Sequence, residues 1–204
     1  MKLFVAPNTI SLASAIALEE AGVEHELHFI DFAAQGQQAP DYLAINPKGR
    51  VPALVLDTGT ILTETGAILD FIAAHDPRLM PADPVHAAQA RSVMYYLAST
   101  MHVNHAPRMR GHRWADQEAS WADMPAKVPQ TMTDSARYIE ENALAGPFVL
   151  GAHICIADFY LFTVCTWLPG DGVDLAPFPR IRAFMAEMET RHSVEVMRAK
   201  GLLT

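Results

Sequence analysis

The chain has 204 residues, half of them hydrophobic and 19% charged, with 15 Lys and Arg against 23 Asp and Glu for a formal charge of −8. This is an ordinary globular composition, long enough for one domain or two small ones, and too acidic overall for a whole-chain nucleic-acid footprint. Two cysteines, Cys155 and Cys165, exclude a disulfide framework and suit a reducing cytoplasm. No apolar run approaches the roughly 20 residues of a membrane span, and Pro7-Asn8-Thr9 cuts the apolar start too early for a signal peptide.

Lys2 to Ala6 reads as a short buried strand ended by Pro7-Asn8. Ile10 to Ala21, rich in Ala and Leu, reads as a helix closed by Gly22. Glu26 to Asp31 alternates polar and apolar residues, the signature of a half-buried strand. Ala33 to Ala39 is small, polar and loop-like, and Asp41 to Ile45 forms a short helix.

The densest stretch is Asn46-Pro-Lys-Gly-Arg-Val-Pro-Ala-Leu-Val-Leu-Asp57, continued to Ile68. Asn46-Pro47 and Lys48-Gly49 mark a turn. Val51 to Leu56 is a strand, Thr58-Gly59 a hairpin turn, and Ile61-Leu62 the returning strand. Thr63-Glu64-Thr65 puts hydroxyls and a carboxylate at the start of a third helix, Thr65 to Ala74. Pro52, at a strand start, takes no donor from a central ladder. It leaves the Val51 backbone able to pair with an extended peptide, and the amides near Thr65-Gly66 could hold that peptide's carboxylate.

Residues 1–76 thus alternate as an α/β unit with a parallel strand pair and an antiparallel hairpin. Residues 77–84, proline-rich, are read as the linker. Residues 85–204 carry only helical patterns: Ala87 to about His112, with Pro107 kinking or ending it, and Ala119 to Asn142, followed by three more segments. Among the latter, Asp158 stands three residues after Cys155, as in a capping box that has lost its hydroxyl, with Ile154 and Phe159 as a hydrophobic staple.

Asn46 to Leu54 closely resembles the glutathione-binding core of the glutathione transferase family, and Glu64-Thr65-Gly66-Ala67-Ile68 its γ-glutamyl-binding element. The similarity continues to the C-terminus. It implies a thioredoxin-like N-terminal domain, an all-α C-terminal domain and a cis Val51–Pro52 bond. It also implies Val51, Pro52, Glu64, Thr65 and Lys48 as glutathione-binding residues, and a homodimer. Gln35 falls where bacterial beta-class members have a lysine for the glycyl carboxylate, with Arg108 and Arg110 able to compensate or to face water.

The start of the chain is similar to the beta class, but Ile10 stands at that class's catalytic cysteine and the early tyrosine of other classes is missing. Ser11 and Thr9 remain, both at a helix N-terminus that favours an anion, where a hydroxyl hydrogen bond would lower a thiol's pKa. Ser11 is the preferred sulfur-facing donor and Thr9 its competitor; either could simply cap the helix. His102 resembles the histidine that reaches the sulfur region from the second domain. His105, three residues on, is assigned to a solvent-facing polar side, since two histidines without a third ligand are weak grounds for a metal.

The expected activity is a cytoplasmic glutathione transferase that stabilises the glutathione thiolate and adds it to a small electrophile in detoxification. No metal, nucleic acid or membrane partner is implied. The alternatives are a glutathione-dependent disulfide reductase and a non-enzymatic ligand-binding protein of the same fold.

Overall fold

The structure, a computed structural model, describes all of residues 1–204. It divides into two compact units, Met1–Ala82 with Met188–Thr204, and Asp83–Glu187.

The first unit is built on a four-stranded sheet in the order β2-β1-β3-β4. β1 (Lys2–Val5) lies parallel to β2 (Glu26–Phe29) and antiparallel to β3 (Ala53–Val55), which pairs with β4 (Ile61–Thr63) across the hairpin. Leu3 and Val5 of the central strand are fully buried. The parallel pair requires a crossover, supplied by α1 (Ser11–Glu20). Its residues Ser11 to Leu18 are all buried, because α1 packs at once against β1, the helix Thr65–His75 and the last helix, His192–Ala199. Its many alanines suit that close approach on several sides.

Gly22 ends α1 in the left-handed region, φ 64°. Val23 N–H donates to the Leu18 carbonyl and Gly22 N–H to that of Glu19, the paired bonds of a Schellman end. A short helix α2 (Pro40–Ile45) and α3 (Thr65–His75) complete the N-terminal part. The 33–39 stretch, read as loop, contains one 3-10 turn, Gly36–Gln38.

The second unit is all helical. α4 (Pro84–Tyr96) runs through a π-turn, Leu97–Met101, into α5 (His102–His105), and Pro107 opens a separate α6 (Pro107–Arg110). The long helix expected up to His112 is therefore interrupted where proline withholds its donor. α7 (Glu118–Tyr138) continues into a π-turn, Ile139–Ala143. It accommodates Pro125 and Pro129 inside it. α8 (Ile156–Cys165) is buried throughout. At its start the Asp158 carboxylate accepts from the Cys155 and Val149 amides, each at 2.8 Å, so the acidic half of the expected box is in place. α9 (Pro179–Glu189) begins on Glu140, whose carboxylate accepts from the Arg180 and Ile181 amides at 2.9 Å, a favourable charge at a helix N-terminus.

The last helix, α10 (His192–Ala199), departs from the expected 85–204 domain by packing on α1. Glu20, at the end of α1, takes the Arg191 guanidinium and the Ser193 hydroxyl. Asn8 bonds both the hydroxyl and the amide of Thr204. Such long-range ties cannot be seen in a local pattern. No helix is long and apolar enough to cross a membrane.

Candidate functional site

In the first unit the loop before β3 is pinned at one carbonyl. The Tyr42 hydroxyl and the Asn46 side-chain amide both donate to the Arg50 carbonyl at 2.6 Å. Burial pushes the Tyr42 phenol up to about 12, so it stays a donor at neutral pH. Gly49, at φ 58°, closes the turn; a Cβ there would lie 2.6 Å from Gln38 Nε2 and 3.1 Å from the Gln37 carbonyl. Val51–Pro52 is cis. The ladder with β1 starts only at Ala53, and the Val51 amide and carbonyl make no internal hydrogen bond. That segment is thus a free backbone edge beside a filled sheet.

Beyond the hairpin, Glu64 sits at φ 70°, a conformation uncommon for a residue with a Cβ. Its carbonyl still accepts the first helical bond of α3, from Ile68 N–H at 3.0 Å. Neither Glu64 nor a neighbouring hydroxyl caps that helix, contrary to the capping read from Thr63-Glu64-Thr65. The Lys48 ammonium instead holds Glu64 Oε1 at 2.5 Å and Thr63 Oγ1 at 2.8 Å. Both partners are well exposed, 40% and 69%, while Thr65 is buried. Lys48, Val51, Pro52, Glu64 and Thr65 therefore belong to one turn-strand-helix block. Gln35 lies on the separate 33–38 loop, exposed, with φ 54°.

At the start of α1, Ile10 is the N-cap residue and no side chain caps the helix. Thr9 and Ser11 are joined instead, Oγ1 to Oγ at 2.7 Å. Ala6 N–H donates to Ser11 Oγ at 3.1 Å, and the Ala6 carbonyl lies 2.8 Å from Thr9 Oγ1 and 3.3 Å from Ser11 Oγ. Ser11 is 0% exposed and Thr9 only half-buried. The hydroxyl preferred from sequence is thus the inner one of the pair, occupied by a buried peptide; burial was invisible in a run as short as Thr9-Ile10-Ser11.

His102 lies in the second unit, its ring centroid 5.0 Å from that of Trp167 and 6.4 Å from that of His105. His105 does not face water, as expected, but is bonded through Nδ1 to the buried Asp171. Arg108 reaches the same carboxylate. The signal for Asp171 was weak, since it stands 66 positions from His105 in a Pro-Gly-Asp-Gly turn. No group of three or more His, Cys, Asp or Glu side chains is arranged to hold a metal. Both cysteines are free and buried; burial drives the Cys155 thiol far up and that of Cys165 to about 12.

A family model described as the N-terminal domain of glutathione S-transferase matches residues 1–74, the stretch that carries the block above. Over its whole length the chain is similar to the glutathione S-transferase GstA of Escherichia coli O157:H7, 33% identical over 99% of this chain and all of that one. Among solved structures, a glutathione transferase homologue from Sulfitobacter with bound glutathione is 56% identical, covering 99% of this chain and 98% of that one, with a TM-score of 0.97. A sphingomonad glutathione S-transferase in complex with glutathione is 30% identical over 99% of this chain and all of that one, with a TM-score of 0.85. Matched along its whole length in both sequence and backbone, the chain belongs to the glutathione S-transferase family.

Proposed function

We propose that this glutathione S-transferase binds glutathione as an added antiparallel strand on Val51 and transfers its sulfur to a small electrophile. The observation that carries the reading is the Val51 backbone, held at an edge by the Tyr42 and Asn46 bonds to Arg50 and left out of the ladder. Extended peptides recognise such edges through main-chain bonds. The γ-glutamyl group is assigned to Glu64 and Thr65, where the opening amides of α3 favour a carboxylate. Gln35 and Lys48 are assigned to the remaining polar groups of the peptide. The two solved relatives described with glutathione support this placement.

For the sulfur we assign Thr9 ahead of Ser11. Ser11 Oγ accepts from Ala6 N–H and lies 2.7 Å from Thr9 Oγ1, while the half-buried Thr9 hydroxyl, which donates to the Ala6 carbonyl at 2.8 Å, is the one able to turn toward a thiolate. A hydrogen bond to the charged form lowers the thiol's pKa, each unit corresponding to about 1.4 kcal/mol. His102 is kept as the second unit's candidate for the same role.

A cytoplasmic homodimer serving detoxification fits the family resemblance, the acidic charge and the two free cysteines. Exposed Val85 and Tyr95 on α4 and Tyr138 on α7 offer apolar surface for such a partner. The test is calorimetric titration with glutathione followed by conjugation of 1-chloro-2,4-dinitrobenzene. Binding with turnover is expected; no binding would overturn the reading, and binding without conjugation of any electrophile would favour disulfide reduction by bound glutathione.

A further inference from the structure

The turn that carries Thr9 into α1 is held from far along the chain. Asn8 sits at φ 54°, in the left-handed region where asparagine is one of the few non-glycine residues at ease. Its backbone N–H donates to the Leu202 carbonyl at 3.0 Å. Its side chain grips the same segment twice, Nδ2 donating to Thr204 Oγ1 at 2.7 Å and Oδ1 accepting from Thr204 N–H at 3.2 Å. One residue is thus tied by three bonds to a segment up to 196 positions away, within the same compact unit.

Residues 202–204 are themselves anchored. Gly201, at φ 73°, ends α10 in a Schellman turn, with Leu202 N–H donating to the Met197 carbonyl at 2.9 Å and Gly201 N–H to that of Arg198 at 3.0 Å. Leu202 and Leu203 are buried. Arg191, just before α10, takes Glu20 at the last residue of α1. The stretch 191–204 therefore holds α1 at its far end and again just ahead of its first turn. What Asn8 sets there is Thr9. A hydroxyl proton turns easily, but the oxygen stays where the backbone and a stiff β-branched χ1 put it. The neighbours of Thr9 Oγ1, the Ala6 carbonyl and Ser11 Oγ, belong to the same turn and would move with it; the Asn8 bonds fix that turn to the rest of the unit.

We propose that Asn8 is a positioning residue for the transfer, and that residues 202–204 act through it to hold the Thr9 hydroxyl in place for the glutathione sulfur. The proposal rests on the assignment of Thr9 to the sulfur made above. Asn8 and Thr204 are both exposed, so the bonds between their side chains add little to the stability of the fold. Their loss should therefore be felt in the chemistry before it is felt in the melting temperature, which separates positioning from folding.

The experiment measures the thiol pKa of bound glutathione by absorbance, and kcat with 1-chloro-2,4-dinitrobenzene, in Thr204→Val, Thr204→Ser and Asn8→Gly. Valine deletes the Thr204 hydroxyl at constant shape and serine restores it; glycine removes both Asn8 side-chain bonds and still takes positive φ. A misplacement of about 1 Å can cost about 100-fold, so Asn8→Gly should lower kcat at least about tenfold and Thr204→Val about threefold. Both should raise the thiol pKa, while glutathione affinity stays within about twofold because the binding contacts lie elsewhere. Thr204→Ser should match the wild type. In a Thr9→Ala background Thr204→Val should change nothing further, since no hydroxyl remains to be positioned. If Asn8→Gly does not fold, Thr204→Val against Thr204→Ser decides. A wild-type thiol pKa in Thr204→Val, or the same loss with and without the Thr9 hydroxyl, would overturn the proposal. An unchanged thiol pKa in Thr9→Ala alone would remove the sulfur assignment and this inference with it, whereas a wild type that binds no glutathione in calorimetry would overturn the transferase reading itself.

Discussion

Thr9 Oγ1 stands 2.7 Å from Ser11 Oγ, and behind them both lies the peptide of Ala6. The two hydroxyls differ in what each would lose on truncation. Ser11→Ala orphans the Ala6 amide in a fully buried place, which costs about 1–3 kcal/mol. Thr9→Ala removes a half-exposed hydroxyl and leaves that amide bond intact. Ser11→Ala should therefore lower the melting temperature, while Thr9→Ala should leave it nearly unchanged and raise the pKa of bound glutathione. A hydrogen bond to a charged group contributes about 1.5–3 kcal/mol, or roughly one to two pKa units. Thiolate absorbance against pH, with glutathione saturating, measures it. An unchanged thiol pKa in Thr9→Ala would return the role to Ser11, to His102, or to the helix amides.

Lys48 should be dispensable for stability and needed for the ligand. Its pair with Glu64 is well exposed on both sides, and such pairs contribute about 0–1 kcal/mol. Lys48→Ala is expected to melt within a degree or two of the wild type. If the ammonium also contacts glutathione, its loss should weaken binding about tenfold, the equivalent of roughly 1.4 kcal/mol. Calorimetry at two salt concentrations checks this, because an electrostatic contact should fade in the wild type and not in the variant.

What could be read from the sequence was whatever is local. The Asn46 to Ile68 block announces itself by Pro and Gly punctuation, and the structure forms β3, β4 and α3 there within a residue or two. Pro107 marked the helix break for the same reason, since its missing donor is a property of one residue. The burial of Ser11, the docking of α10 on α1 through Glu20 and Arg191, and the bond between His105 and Asp171 are all products of distant segments meeting. Periodicity carries no information about such meetings. His105 looked solvated because a histidine on a polar helix usually is, and only the turn at Gly170-Asp171 makes it otherwise.

Both cysteines should be silent in the native protein. Burial raises the thiol of each, and the thiolate is the reactive form. Ellman's reagent should modify neither at neutral pH within the time in which the denatured chain reacts fully. The Cys155→Ser, Cys165→Ser double variant should retain glutathione-dependent turnover. A native thiol that reacts quickly, or activity lost in a folded double variant, would mean a cysteine takes part.

The contact of Glu20 with Arg191 and Ser193 should show in the acid limb of stability. Burial raises the Glu20 pKa, but the Arg191 and Ser193 bonds lower it further, and the net result lies below the ordinary value of 4.5. A carboxyl depressed by folding contributes stability that is fully present above its unfolded pKa and lost as pH falls through the folded one. The contribution should therefore be intact at neutral pH and should disappear below about pH 4.5. Glu20→Gln should lower the urea midpoint at pH 7, by an amount that shrinks as the buffer is taken toward pH 3, where the wild-type carboxyl is itself being neutralised. A difference between the two proteins that stays constant from pH 7 to pH 3 would assign the effect to packing of α10 on α1, not to the charge of Glu20.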